Sequence, residues 1–458
     1  MVNKQKLVLG FAPTRRKMYD PVFAHENRRK IKEKVKDILT NVDVEIVDID
    51  WLNEEGLLIE LEDVPKIEEH FKKAKVDALF MPHCNFGSEE VVGKLGKVIG
   101  KPFLLWGPRD QAPPPGKAVR QTDTQCGLFA SSRALQRYGV PFTYIHNCWL
   151  EDKAFEEGLI DFLRVASVVK TFKNLRIGQI SLRPKPFLSV MINEGELLEK
   201  FGIEIVPITQ GEVIGKTKDI LANREDEVEF LVSDIKSKVD CSTTDHDDMK
   251  KIAAVELAFM DLAKEHNCNV MASECWRTYS QAFGIRSCFI FGDLIDRGLM
   301  VACETDINGA ITMAMLKASS LNKGLPFLAD LTIRHPENEN AELLWHCGPF
   351  PQTLARYPEK RALIQFTGSW ELKGGDITVA RFDGARGQYR LFTGKGVGVE
   401  GPSTNGNYVW IEVDDWIKWE KKFIYGPYIH HVACIHGDYV RIMEEACKYI
   451  GEVKIDLP

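Results

Sequence analysis

The stretch "KLVLGFAP" (residues 6–13) is an apolar run of strand length closed by a proline, and its alternation with helical segments decides the fold. In "ENRRKIKEKVKDILTN" (26–41) the apolar residues Ile31, Val35 and Ile38 recur at helical spacing, and "VDVEIVDI" (42–49) returns to strand texture. The alternation continues through "KVDALFMPHC" (75–84), a further helix, and "KPFLLWGP" (101–108). Strands separated by helices in this way pair in parallel, with helices over both faces of the sheet.

The proline run in "RDQAPPPGKAVRQTD" (109–123) interrupts this rhythm, because proline continues neither a helix nor a central strand. A long surface loop is expected there. The pattern restarts at "RIGQIS" (176–181) and passes through a helix over 248–267 with an apolar stripe of Ile252, Val255, Phe259 and Leu262. A short strand at 268–272 ends in Ser273 and Glu274; "LMVAC" (299–303) is the next strand and "NGAITMAMLKASS" (308–320) the next helix. Beyond residue 325, short β-type runs separated by Gly, Asn and Asp turns point to an antiparallel sheet or barrel. The expected architecture is α/β: two doubly wound parallel-sheet domains (1–168 and 169–298), then a β-rich, barrel-like C-terminal domain (299–458).

A chain of 458 residues exceeds one ordinary core, which agrees with several domains. The net charge of -7 argues against a nucleic-acid partner, which needs a concentrated basic face. No run reaches the length of a membrane span, and the N-terminus lacks the pattern of a signal peptide, so a cytoplasmic protein with a small-molecule partner is expected. The 11 cysteines stand singly in apolar company with no CxxC pair, which fits buried free thiols better than disulfides or a zinc module.

Several apolar strands end in groups that ligate metals: Glu274 in "MASECW", Glu304 and Asp306 in "VACETD", His346 in "LLWHCG", and His430 with His431 in "YIHHVACIHGD". In α/β sheets, ligands bind in the crevice outside the carboxyl ends of the strands. Carboxylates with one or two imidazoles suit Mn²⁺, Mg²⁺ or Co²⁺. Such an ion polarises a carbonyl, while a second carboxylate moves a proton between adjacent carbons. Each residue also has a structural reading. Glu274 would cap the next helix or pair with Arg277, Asp306 would be the N-cap of the helix beginning near Asn308, and Glu304 would sit in an ion pair. His346 would be a satisfied core histidine, and His83 and His436 would anchor loops. Neighbouring strand side chains point to opposite faces, so at most one of His430 and His431 faces a site.

The stretches "SECW", "DRGLMVACETDINGAITM", "WHCG" and "YIHHVACIHGDY" resemble, in that order, the L-fucose isomerase and L-arabinose isomerase superfamily. "MPHCNFGSEEVVGKLGKVIGKPFLLWGP" and "TQCGLFASSRALQRYGVPF" look like its distant members. The resemblance implies a three-domain subunit assembled as a homotrimer or hexamer, with the site between the second and third domains and completed by a neighbour. It implies Mn²⁺-dependent interconversion of an aldose and a ketose through a cis-enediol. Asp306 falls where fucose isomerases keep their second acidic ligand, and Glu304 where arabinose isomerases keep theirs. His431 matches the C-terminal histidine ligand and His346 the extra histidine of the arabinose type. Glu274 is left as the first acidic ligand and the base for the C2 proton, with Asp306 or Glu304 shuttling a proton between the sugar oxygens. Asp293, which reads as an exposed helix residue, is the fallback for Glu274.

Two alternatives accompany this reading. One is an isomerase for an anionic sugar such as a 6-sulfonated hexose, with Arg109, Arg120, Arg183 and Lys185 as candidate loop cations. The other is a catalytically silent sugar-binding homologue, since a fold does not fix a function.

Overall fold

The structure is a computed structural model that describes residues 6–112 and 122–458. Most of the proline-rich loop expected at 109–123, Arg120 included, lies outside the described residues. The chain divides into two compact units, one ending at Lys170 and the other running Thr171–Pro458.

The first unit holds one parallel sheet of β1 (Leu7–Phe11), β2 (Val44–Asp48), β3 (Ala78–Pro82), β4 (Phe103–Trp106) and β5 (Thr143–Tyr144), in the order β2-β1-β3-β4-β5. The stretch 6–13 therefore supplies a central strand, which is why it is apolar throughout. Gly10 serves close approach: a Cβ there would meet the Phe71 ring at 3.0 Å. The helix Pro21–Leu39 starts with Asp20 accepting from the Val22 amide and buries Ile31, Val35 and Leu39, leaving Ile38 half-buried.

The second unit begins with a four-stranded parallel sheet of β6 (Arg176–Ile180), β7 (Glu204–Ile208), β8 (Val270–Ser273) and β9 (Val301–Cys303), ordered β7-β6-β8-β9. The chain moves from β6 to β7 on one side and then to β8 on the other. The carboxyl ends of β6 and β8 consequently border a topological switch point. The helix His246–Glu265 covers the sheet with the expected stripe of Ile252, Val255, Phe259 and Leu262, each contributing about 1.5–3 kcal/mol by burial. β9 lies beyond residue 298, yet its ladder is with β8.

The remaining strands are β10 (Phe327–Arg334), β11 (Ala341–His346), β12 (Ala362–Ile364), β13 (Thr367–Glu371), β14 (Asp376–Ala385), β15 (Gln388–Val399), β16 (Asn407–Glu412), β17 (His431–His436) and β18 (Val453–Asp456). Six of them run β16-β11-β10-β17-β14-β15, and β15 pairs back to β16, closing an antiparallel barrel as expected. The parallel partners β13 (on β16) and β18 (on β15) extend it. The helix Ile307–Ser319 is buried almost all round, as a helix enclosed by other elements must be. It touches β8 and β9 on one side and β14 and β17 on the other, so its N-terminus sits where sheet and barrel meet. Among the described residues no helix is long and apolar enough to cross a membrane.

Candidate active site

The site is built around His431, the first residue of β17, which pairs across the ladder with Asp330 on β10. The His431 ring is buried, whereas the side chain of its neighbour His430 is 46% exposed, as strand alternation requires. His431 Nδ1 lies 3.0 Å from Asp306 Oδ2, which fixes the ring. Nε2 lies 3.1 Å from Glu304 Oε2 and 3.6 Å from Asp330 Oδ1 without an aligned hydrogen-bond partner. Burial pushes the His431 imidazolium down, but Asp306 at Nδ1 and the Glu304 carboxylate 3.1 Å from Nε2 outweigh that and raise its pKa to about 9. In Glu304 the burial penalty is likewise overcome, by His431, and the carboxyl is lowered.

Glu304 reaches this position through unusual backbone. Glu304 and Thr305 both have positive φ, at 59° and 55°, and for β-branched Thr305 that is a strained conformation costing about 1–3 kcal/mol. The two residues turn the chain sharply after β9, and the Thr305 amide returns to the Ser273 carbonyl at 3.1 Å. Glu304 Oε1 is held by the Trp276 indole N–H at 2.9 Å. Strain kept by surrounding contacts clusters at functional sites.

Asp306 performs the N-cap role its position allowed, Oδ1 accepting from the Gly309 amide at 2.9 Å. Residue 309 must be glycine, since a Cβ would stand 2.6 Å from Asp306 Oδ2. Both Asp306 oxygens also bind Arg381, fully buried on β14, whose Nη2 donates to Oδ1 at 3.1 Å. Arg381 continues to Asp383 at 2.9 Å, and Asn308 closes the network on Asp383 at 2.9 Å. Burial alone would raise the Asp306 carboxyl; the Arg381 charge overrides it and holds Asp306 well below the usual carboxylate range. Asp306 thus aims His431 from behind, and its oxygens are occupied.

His346, at the end of β11, is buried with its ring centroid 6.4 Å from that of His431. Its Nδ1 accepts from the Cys347 amide at 2.9 Å, while its Nε2 is buried with no partner. Asp330 Oδ1 is also buried and unpartnered, and one ligand atom each from Asp330, His430 and His431 lie within 4.8 Å of one another. Buried unpaired donor atoms are costly unless something binds them. His431 Nε2, Glu304 and Asp330 form a mixed oxygen and nitrogen set of the kind that suits a divalent ion, whereas His346, with Nδ1 accepting, carries its proton on Nε2 and offers no lone pair there.

Glu274 is placed differently. Its Oε1 accepts from the amides of Trp276 (2.8 Å) and Arg277 (2.9 Å), and its Oε2 from the amide (3.0 Å) and hydroxyl (2.6 Å) of Thr278. All its acceptor capacity goes into capping the helix Thr278–Phe283, the structural reading of that residue. Asp293, expected to be exposed, is 1% exposed; its carboxylate is bound to Arg297 at 2.9 Å and to Gln352 at 3.1 Å. The exposure expectation failed because Arg297 follows it at i+4 and neutralises a charge the packing encloses.

Sequence reasoning missed Asp330, Arg381 and Trp276. The available signal was an aspartate interrupting the apolar run "FLADL", at the register position opposite His431. Of the loop cations, Arg183 and Lys185 lie in the segment after β6, at the switch point. Phe187 in that segment meets the rings of Trp276 at 5.2 Å and His431 at 5.9 Å. Arg109 lies in the first unit, over the Trp149 ring at 5.7 Å. His83 and His436 do anchor loops, through the carbonyls of Phe86 and Lys373.

Two buried imidazoles and two carboxylates thus gather beside the carboxyl ends of the second unit's parallel sheet. Residues 10–173 match the family model described as fucose/sulfoquinovose isomerase, N-terminal domain. A sulfoquinovose isomerase from Alkalicoccus urumqiensis is 25% identical over 382 residues, covering 81% of this chain and 83% of that one. A sulfoquinovose isomerase from Priestia aryabhattai is 24% identical over 449 residues, covering 95% of each chain. Residues 10–173 thus match the N-terminal domain of the fucose/sulfoquinovose isomerase family, the chain as a whole is similar to sulfoquinovose isomerases, and the comparisons support an aldose–ketose isomerase, an intramolecular oxidoreductase.

Proposed function

We propose that this enzyme interconverts the aldose and ketose forms of a 6-sulfonated hexose of the sulfoquinovose type, with Mn²⁺ held by Glu304, Asp330 and His431. The carrying observation is the gathering of the Glu304 and Asp330 carboxylates 3.1 and 3.6 Å from the buried His431 Nε2. The names of the relatives support the sulfonated substrate. So do Arg183 and Lys185, since the segment that carries them brings Phe187 against Trp276 and His431. The reading includes a cytoplasmic homo-oligomer, trimer or hexamer, as in the superfamily.

When bound, the ion supplies Lewis-acid polarisation of the sugar's C1 and C2 oxygens. Of the two carboxylates beside His431, one accepts the proton from the carbon being deprotonated and returns it to the neighbouring carbon. Asp306, fixed by Arg381, keeps His431 Nδ1 occupied so that Nε2 faces the site. The Phe187 ring, 5.2 Å from Trp276 and 5.9 Å from His431, gives the site an apolar edge.

The test is a sugar panel with Mn²⁺ read by product NMR. The expected result is turnover of sulfoquinovose with kcat/KM at least about 100-fold above that of the 6-deoxy hexose lacking the sulfonate, about 2.7 kcal/mol of transition-state preference. Equal or better use of the neutral sugar would overturn the substrate assignment.

Glu274, whose oxygens accept four hydrogen bonds, is assigned a capping role. Glu274→Gln is expected to lower stability by about 1 kcal/mol while reducing kcat less than tenfold. A thousandfold loss of kcat at unchanged stability would return the proton transfer to Glu274.

A further inference from the structure

Arg334 ends β10, and its register partner on β11 is Glu342. Opposite charges set across from each other on neighbouring strands ordinarily pair. These two do not. The Arg334 guanidinium turns back to Glu339, in the connection between the strands, donating to its carbonyl at 3.0 Å and to its carboxylate. Glu342 is left buried, 4% exposed, and its Oε2 has no hydrogen-bond partner. On its other side β16 sets the apolar Ile411 opposite it. The charges that reach Glu342 are Arg334 and, from the helix Trp416–Tyr425, Glu420.

We propose that Glu342 and Glu339 compete for the single Arg334 guanidinium, which makes the end of the β10–β11 pair a proton-controlled switch. In the arrangement seen, Glu342 is neutral and Arg334 serves Glu339. Burial pushes the Glu342 carboxyl up to about 7; Arg334, turned away, pulls it down too weakly to offset that, and Glu420 adds to the rise. When Glu342 gives its proton to solvent, the fold encloses an ionised carboxylate without its cation, which costs far more than a surface ion pair supplies. The Glu339 side chain is 91% exposed, so the pair that Arg334 gives up is worth little. The guanidinium therefore crosses to Glu342. The ladder leaves it room to do so, because the register of β10 on β11 shifts between Leu331 and Arg334. The connection between the strands then loses its tie to Arg334.

A carboxyl whose pKa is raised on folding gives stability that is complete below its ordinary value of 4.5 and is lost as pH rises through about 7. The test compares the full chain with Glu342→Gln, which stays neutral, by urea unfolding across that range, and determines crystal structures of the wild type at about pH 5 and about pH 8. Expected is a wild-type unfolding midpoint that falls relative to the variant's up to about pH 7 and runs parallel to it above. Arg334 is expected on Glu339 in the acidic crystal and on Glu342 in the alkaline one. Parallel midpoints throughout, or Arg334 on the same carboxylate in both crystals, would overturn the proposal. Should Glu342→Gln not fold, the two crystals decide by themselves.

Discussion

Glu304→Gln is expected to lower kcat/KM at least about 10³-fold, which corresponds to roughly 4 kcal/mol of lost transition-state stabilisation. The substitution keeps the shape of the side chain and an oxygen to accept from the Trp276 indole, now 2.9 Å from Oε1. What it removes is the negative charge 3.1 Å from His431 Nε2. That charge is held against a burial penalty by His431 and stands on strained backbone of the kind that clusters at functional sites. The same variant should bind Mn²⁺ at least tenfold more weakly by calorimetry, with its thermal unfolding nearly unchanged. Turnover within tenfold of the wild type would remove Glu304 from the site.

The second large effect is on stability. Arg381→Met should cost about 3–5 kcal/mol, because it leaves Asp306 and Asp383 as buried carboxylates without their cation. Arg381 carries no exposed surface, so solvent cannot take over its role. Chemical unfolding measures the loss, and the double variant Asp306→Asn with Arg381→Met should recover part of it, since the two groups share one network. A single-variant loss below about 1 kcal/mol would mean that the network is not what holds the start of the helix Ile307–Ser319. His431 should suffer as well, because Asp306 no longer fixes its ring, so kcat is expected to fall with stability.

The fold was largely legible in the chain. Apolar runs alternating with helical stripes, such as "KLVLGFAP" followed by Ile31 and Val35, encode a parallel sheet through local burial alone. The turn-rich region beyond residue 325 encodes short antiparallel strands in the same way, and the barrel closure between β15 and β16 joins them. The site was legible only in part. Glu304 follows β9 and His346 ends β11, which marks them along the chain, whereas His431, expected at a strand end, instead opens β17. Asp330 was invisible because an aspartate within a strand shows its importance only through the register that sets it opposite His431.

By itself, then, the sequence determined the element types, the parallel and antiparallel regions, and the strand-end positions from which ligands are presented. These depend on periodicity and on short-range turn chemistry. Only the tertiary structure decided which carboxylates are occupied and which are open. Asp306 is consumed by Arg381, 75 residues away, and Glu274 by the helix it caps, while Glu304 and Asp330 place oxygens 3.1 and 3.6 Å from His431 Nε2. The physical reason is that the state of a buried charge is set by the groups the fold encloses with it, and those come from distant strands.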